Sequence, residues 1–174
     1  MKLYLYGHDY KYAAEQMLLT MFPGERPEYP EGRAEGDRME LRLSRGDKFT
    51  TASCHLVLGE NEYRAMARAE NVLMRDELVT DRICQRLIKN AAYRAVLRSG
   101  RKKPAWGALT GVRPGKLLAG LINSGLSEQE ALSEFIAQYD VSEERAQLCL
   151  ATTRETLRAD ASMLDKDVCL YVGY

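Results

Sequence analysis

Apolar and polar residues alternate with period two in several stretches of the first third of the chain, the pattern of half-buried strands. Leu3 and Leu5 alternate with Tyr4 and Tyr6, which predicts a short strand over Met1–Tyr6 with large residues on both faces. Met39, Leu41 and Leu43 alternate with Glu40 and Arg42 over Arg38–Ser44, and Phe49–Leu58 returns after the turn Arg45-Gly46-Asp47-Lys48. Gly59-Glu60-Asn61 offers a second turn. Glu62–Ala69 reads as a strand, with Tyr63, Ala65 and Ala67 on one face, or as the start of a helix, since Ala, Met, Arg and Glu are good helix formers. The strand is preferred, because a β-α-β-β-β lobe closes a small sheet under one helix.

Elsewhere the period is helical. Asp9 is placed to cap a helix over about Tyr10–Phe22, a reading preferred to an acid–base pair of His8 and Asp9. Pro23–Asp37 gathers prolines, glycines and charges and reads as an exposed loop. From Val79 or Thr80 to Arg98, the row Val79, Ile83, Leu87, Ala91, Ala95 and the row Cys84, Ile88, Ala92, Val96 predict a helix. Arg82, Arg86, Lys89 and Arg94 fall on its other side, expected to be solvated, and Gly100 is the stop signal. Helices follow over Pro114–Asn123, ended by Gly125, and from the capping box Ser127–Glu130 to near Tyr139, burying Leu132, Phe135 and Ile136. A last helix is capped by Asp140 or Ser142, with Ala146, Cys149 or Leu150, Thr153 and Leu157 on its buried row. The pattern defines an α+β chain: an α/β lobe of a small N-terminal sheet with one helix (1–75), a four-helix segment (76–165), and a strand stub (166–174) in which Val168, Leu170 and Val172 alternate.

Composition narrows the function classes. The chain is 45% hydrophobic and 29% charged, an ordinary globular balance. Lys+Arg and Asp+Glu are equal at 25 each, so any hold on nucleic acid must come from a local patch. No apolar run approaches the roughly 20 residues that span a bilayer, and the start MKLYLYGHDY lacks a secretory leader pattern. A soluble cytoplasmic protein with no membrane partner is expected. Cys54, Cys84, Cys149 and Cys169 are widely spaced with no CxxC pair, so no metal-ligand set is read within the chain. No P-loop, G-x-S-x-G or HExxH is present, and the two histidines lie far apart. No catalytic residue is assigned, and the chain is not read as an autonomous enzyme.

The unusual chemistry concentrates in Trp106–Lys116, WGALTGVRPGK, just after the basic run Arg101-Lys102-Lys103. Glycines let this backbone bend or approach a partner closely. Pro114 suits the first position of a helix, and free N–H groups there, with Arg113 and Lys116 beside them, favour an anion. Trp106, Thr110, Arg113 and Lys116 are therefore the candidate anion- or substrate-binding residues. The bland alternative is an anchored turn between helices with Trp106 as a core plug. Three closely spaced helices also suit a helix-turn-helix reader, but the last begins Ser142-Glu143-Glu144-Arg145, whose acids would repel phosphate, so duplex DNA is disfavoured.

The same stretch resembles the segment WG-x-LTG-x-RP-x-K of oxygen-independent coproporphyrinogen III oxidase-like proteins, of the coproporphyrinogen dehydrogenase type in the radical SAM superfamily. The tail Lys166-Asp167-Val168-Cys169-Leu170-Tyr171-Val172-Gly173 resembles the strand that in this family leads into the cluster-binding cysteine motif. The resemblance implies a non-catalytic N-terminal accessory domain whose partner is the C-terminal radical SAM barrel of its parent. That parent would decarboxylate porphyrinogen propionates oxidatively in heme biosynthesis, using S-adenosylmethionine and a [4Fe–4S] cluster whose ligands lie beyond Tyr174. No cofactor is expected in this chain itself. The anion at the basic loop would be a substrate carboxylate or a phosphate, and coproporphyrinogen, a tetracarboxylate, suits paired cations. Two other readings remain open at this point. One is an RNA-binding accessory domain using Arg98, Arg101, Lys102, Lys103, Arg113 and Lys116 with Trp106 as a stacking surface; the other is a structural or dimerisation lobe without a ligand.

Overall fold

The alternating segments do form one sheet. In the computed structural model, which describes residues 1–158, β1 (Lys2–Tyr6), β2 (Arg38–Arg45), β3 (Phe49–Leu58) and β4 (Asn61–Glu70) lie in the order β1-β2-β3-β4. β1 runs parallel to β2, and β2, β3 and β4 are mutually antiparallel. Glu62–Ala69, ambiguous by propensity, is strand because Ala65 and Ala67 face the core beside Cys54 and Ala52. One face carries Leu3, Met39, Leu41, Leu43, Ala52, Cys54 and Leu56, all buried, and α1 (Lys11–Met21) and α2 (Glu77–Arg98) share its core.

The start of α1 differs from expectation. Its N-cap is Tyr10 and no side chain caps it. The Tyr10 N–H donates to His8 Nδ1 at 3.1 Å, and Asp9 contributes only its main-chain oxygen, to the Lys11 N–H. The imidazole fixes the approach to the helix by accepting the N–H of the N-cap residue, and the side-chain cap expected of Asp9 is absent. Burial pushes the His8 pKa below its ordinary value of 6.5. A group whose folded pKa is lowered resists protonation in the folded state, so stability falls as pH drops from 6.5 toward that lower value. Thermal unfolding midpoints measured from pH 7.5 down to pH 5 should fall more steeply for the native chain than for His8→Gln. Parallel pH profiles would contradict this role.

Pro23–Asp37 is irregular, as expected, but it is tied to the sheet. Leu3 N–H donates to Glu28 O at 2.8 Å and Glu28 N–H to Met1 O at 3.1 Å, so the loop covers the outer edge of β1. α2 begins at Glu77, two residues before the expected start at Val79, because Asp76 accepts the Val79 N–H at 2.8 Å as a side-chain N-cap. Both of its predicted apolar rows are buried save Val79, which is half-buried. Lys89, expected on the solvated side, is only 9% exposed.

The chain divides into two compact units, Met1–Gly111 and Val112 onward. α2, which helical periodicity alone groups with the later helices, covers the sheet of the first unit. The second unit packs α3 (Pro114–Asn123), α4 (Glu128–Tyr139) and α5 (Glu143–Arg158) against one another. Ser127 and Glu130 form the reciprocal capping box. Asp140 ends α4 in the left-handed conformation, φ 54°, which leaves Ser142 to start α5: its carbonyl accepts the Ala146 N–H and its Oγ the Arg145 N–H. Arg154 on α5 grips Glu128 on α4 through Nε and Nη2. Ile136 is half-buried rather than buried. Leu157, expected in the buried row of α5, is 41% exposed; a four-residue step rotates a row by about 40° around the helix, which carries this last member off the packed side. The strand stub 166–174 lies outside the described residues. Among the described residues no helix is long and apolar enough to cross a membrane.

Candidate functional site

The boundary between the units falls between Gly111 and Val112, inside the stretch 106–116. In the first unit, Pro104–Leu109 form a tight turn in which Gly107 N–H donates to Pro104 O at 2.9 Å and Leu109 N–H to Trp106 O at 3.0 Å. Trp106 sits half-buried in this turn, and Ala108 joins the sheet–helix core. Thr110 is 8% exposed, and its Oγ1 has no hydrogen-bond partner. Its carbonyl oxygen accepts Lys89 Nζ at 2.8 Å. The ammonium is thus tied to the LTG segment through the main chain, and burial holds the Lys89 pKa below the usual lysine value. A buried hydroxyl without a partner is uncommon in proteins, and Thr110 is one among the described residues.

In the second unit, Arg113 is the N-cap of α3, in extended conformation with no side-chain cap, and Pro114 occupies the first helical position. Lys116 and Leu117 both donate their N–H groups to Arg113 O, at 3.1 and 3.4 Å. Pro114 has no N–H, and the Gly115 N–H has no acceptor among the described residues. The Arg113 and Lys116 side chains are exposed, and no acidic residue lies in the first turn. One free amide, two exposed cations and the positive end of a helix therefore occupy a single turn, a local arrangement suited to a carboxylate or phosphate oxygen. α5 approaches this turn closely: a Cβ on Gly115 would stand 3.4 Å from the hydroxyl oxygen of Thr153, a residue 2% exposed whose side chain bonds the Cys149 thiol. Glycine at 115 lets α5 reach the first turn of α3.

Two of the four candidates, Trp106 and Thr110, thus belong to one loop of the first unit, and Arg113 and Lys116 to one helical turn of the second. Residue-level reading missed the burial of Lys89. Lys89 stands one helical turn before Tyr93 and two before Val96, both buried, and that third apolar row was the available signal.

The described residues do not fit a metal cluster. Cys54, Cys84 and Cys149 are each buried on a different element, and burial pushes the Cys54 and Cys149 thiols up, away from the thiolate form a metal requires. No group of three His, Cys, Asp or Glu side chains among them is placed to hold an ion, and Cys169 lies outside them.

Among curated proteins, the chain is 34% identical over 70 residues to the oxygen-independent coproporphyrinogen-III oxidase-like protein HemZ of Bacillus subtilis (strain 168). The match covers 39% of this chain and 14% of that relative, so the aligned part is a small share of the longer protein. No protein-family profile matches the chain. No solved structure matches it.

Proposed function

We propose that this chain is a non-catalytic accessory domain in the N-terminal part of an oxygen-independent coproporphyrinogen III oxidase-like protein, and that the turn at Arg113–Lys116 engages an anionic group of that protein's substrate. The observation that carries the anion assignment is the free Gly115 amide flanked by Arg113 and Lys116 without an acidic neighbour in the turn. The likeness to HemZ over 70 residues supports the parent. The parent's reaction would be oxidative decarboxylation of porphyrinogen propionates, and its cofactors would belong to a barrel that the described residues do not include. Within this reading the domain performs no bond-breaking step: the first turn of α3 binds and orients a carboxylate.

In the full-length protein, Arg113→Ala with Lys116→Ala should weaken substrate binding by about 1.5–3 kcal/mol for each charge-assisted bond removed. Iron content and thermal stability should stay at native values. A folded double variant with native substrate affinity would overturn the assignment.

A further inference from the structure

The sheet has a second face that carries no helix among the described residues. The register places Tyr6, Arg42, Ser53 and Met66 across it in one row, and Ser44, Thr51 and Arg68 in the next. Two cation–π contacts stand on it: the Arg42 guanidinium carbon lies 4.8 Å from the centre of the Tyr6 ring and that of Arg68 4.9 Å from the centre of the Phe49 ring. Both arginines are exposed, and neither has a carboxylate partner among the described residues. Between these contacts, the central strand β3 presents the short hydroxyl residues Thr51 and Ser53.

A concavity of 560 Å³ runs from Tyr6 and Arg42 across Ser53 to Arg64, Arg94 and Arg98. Arg94 donates to Met66 O at 3.0 Å and Arg98 to Arg64 O, so α2 aims two guanidiniums at the free edge of β4. Each guanidinium carries five donors, and one such bond leaves most of them for a ligand. Of the carboxylates on this face, Glu40 is engaged with Arg38 and His55 and Glu62 with His55 and Arg64, while Glu70, opposite Phe49, is exposed; the arginines outnumber them. This face is therefore locally cationic in a chain without net charge.

We propose that this face binds single-stranded RNA. An arginine held beside an aromatic ring offers a cation and an aromatic face together, the pair on which single-stranded bases are taken up. Arg42 and Arg68 lie two strands apart and two residues out of register, about 12 Å, so each can take a separate base of one strand while Thr51 and Ser53 offer hydroxyls between them. Arg64, Arg94 and Arg98 at the β4 edge then meet the phosphodiester backbone. An acidic peptide would use the charges but not the aromatic faces. The two ring–cation pairs, with exposed Met66 on β4, favour a ligand with flat faces and a charged backbone.

The test is fluorescence anisotropy of the full chain with a labelled mixed-sequence RNA of about a dozen nucleotides, within the range covered by single-strand binding domains. Affinity should fall steeply with salt as counterions are released. Arg42→Ala and Arg68→Ala should each weaken binding by about tenfold, the effect of losing one stacked base. Arg42→Lys and Arg68→Lys should weaken it nearly as much, because lysine keeps the charge and loses the plane. Arg82→Ala, on the exposed side of α2 and outside the concavity, should bind as the native chain does. Thermal midpoints establish that each variant is folded. Native affinity in the lysine variants, equal binding of a glutamate-rich peptide of matched charge, or unchanged affinity in Arg42→Ala with Arg68→Ala would each overturn the proposal. The last result would place any RNA binding at the basic loop instead.

Discussion

Gly7→Ala is expected to lower the unfolding free energy by several kcal/mol, because two separate effects act at this residue. Gly7 joins β1 to the segment leading into α1 with φ +74°, a conformation that an alanine adopts only at a cost of about 1–2 kcal/mol. A Cβ built there would also stand 2.5 Å from the carbonyl oxygen of Leu43, a backbone atom of β2 that cannot rotate aside. Displacing packed backbone typically adds about 1–3 kcal/mol, so a total of about 2–5 kcal/mol is expected. Gly59, in the β3–β4 turn, separates the two effects: its φ is +59° and a Cβ would meet nothing within 4 Å. Gly59→Ala should therefore show the conformational part alone. Denaturant unfolding of both variants checks this, and equal losses would remove the Leu43 clash from the account.

Phe135→Ala should have a comparable effect in the second unit. Phe135 is 0% exposed on α4, with its ring 5.6 Å from that of Tyr139. Truncating a fully buried Phe typically costs about 3–5 kcal/mol, from lost transfer energy and the cavity left behind. Phe135→Leu keeps most of the volume and should lose less than about 1.5–2 kcal/mol. Denaturant midpoints of the two variants make the comparison. A Phe135→Ala midpoint within error of the native one would mean that the interior of the α3–α5 unit is not packed around this ring.

The period-two and period-four patterns were enough for the strands, the hairpin turns and the helices, because burial acts on whole rows of side chains. They were poor at single polar residues. Asp9 has the composition of an N-cap, yet the cap position falls on Tyr10 and no side chain caps the helix; the His8 ring instead accepts the Tyr10 N–H. Lys89 looked solvated on charge alone, and the tie to the Thr110 carbonyl depends on a residue 21 positions away in sequence. The same limit holds for the site. Arg113, Pro114 and Lys116 announce a helix start with two cations, and the turn has that form. The unpartnered hydroxyl of Thr110, and the approach of α5 to Gly115, arise from packing between distant segments. The cationic sheet face was hidden for another reason. Its arginines are scattered over β2, β4 and α2, and only the strand register gathers them.

In the proposed function the first turn of α3 binds an anion through the Gly115 amide, Arg113 and Lys116. Nuclear magnetic resonance of the nitrogen-labelled chain, titrated with citrate and separately with inorganic phosphate, reads that amide directly. A saturable shift of the Gly115 resonance that disappears in Arg113→Ala with Lys116→Ala is the predicted result. A Gly115 resonance that stays fixed throughout both titrations, or that moves equally in the double variant, would contradict it.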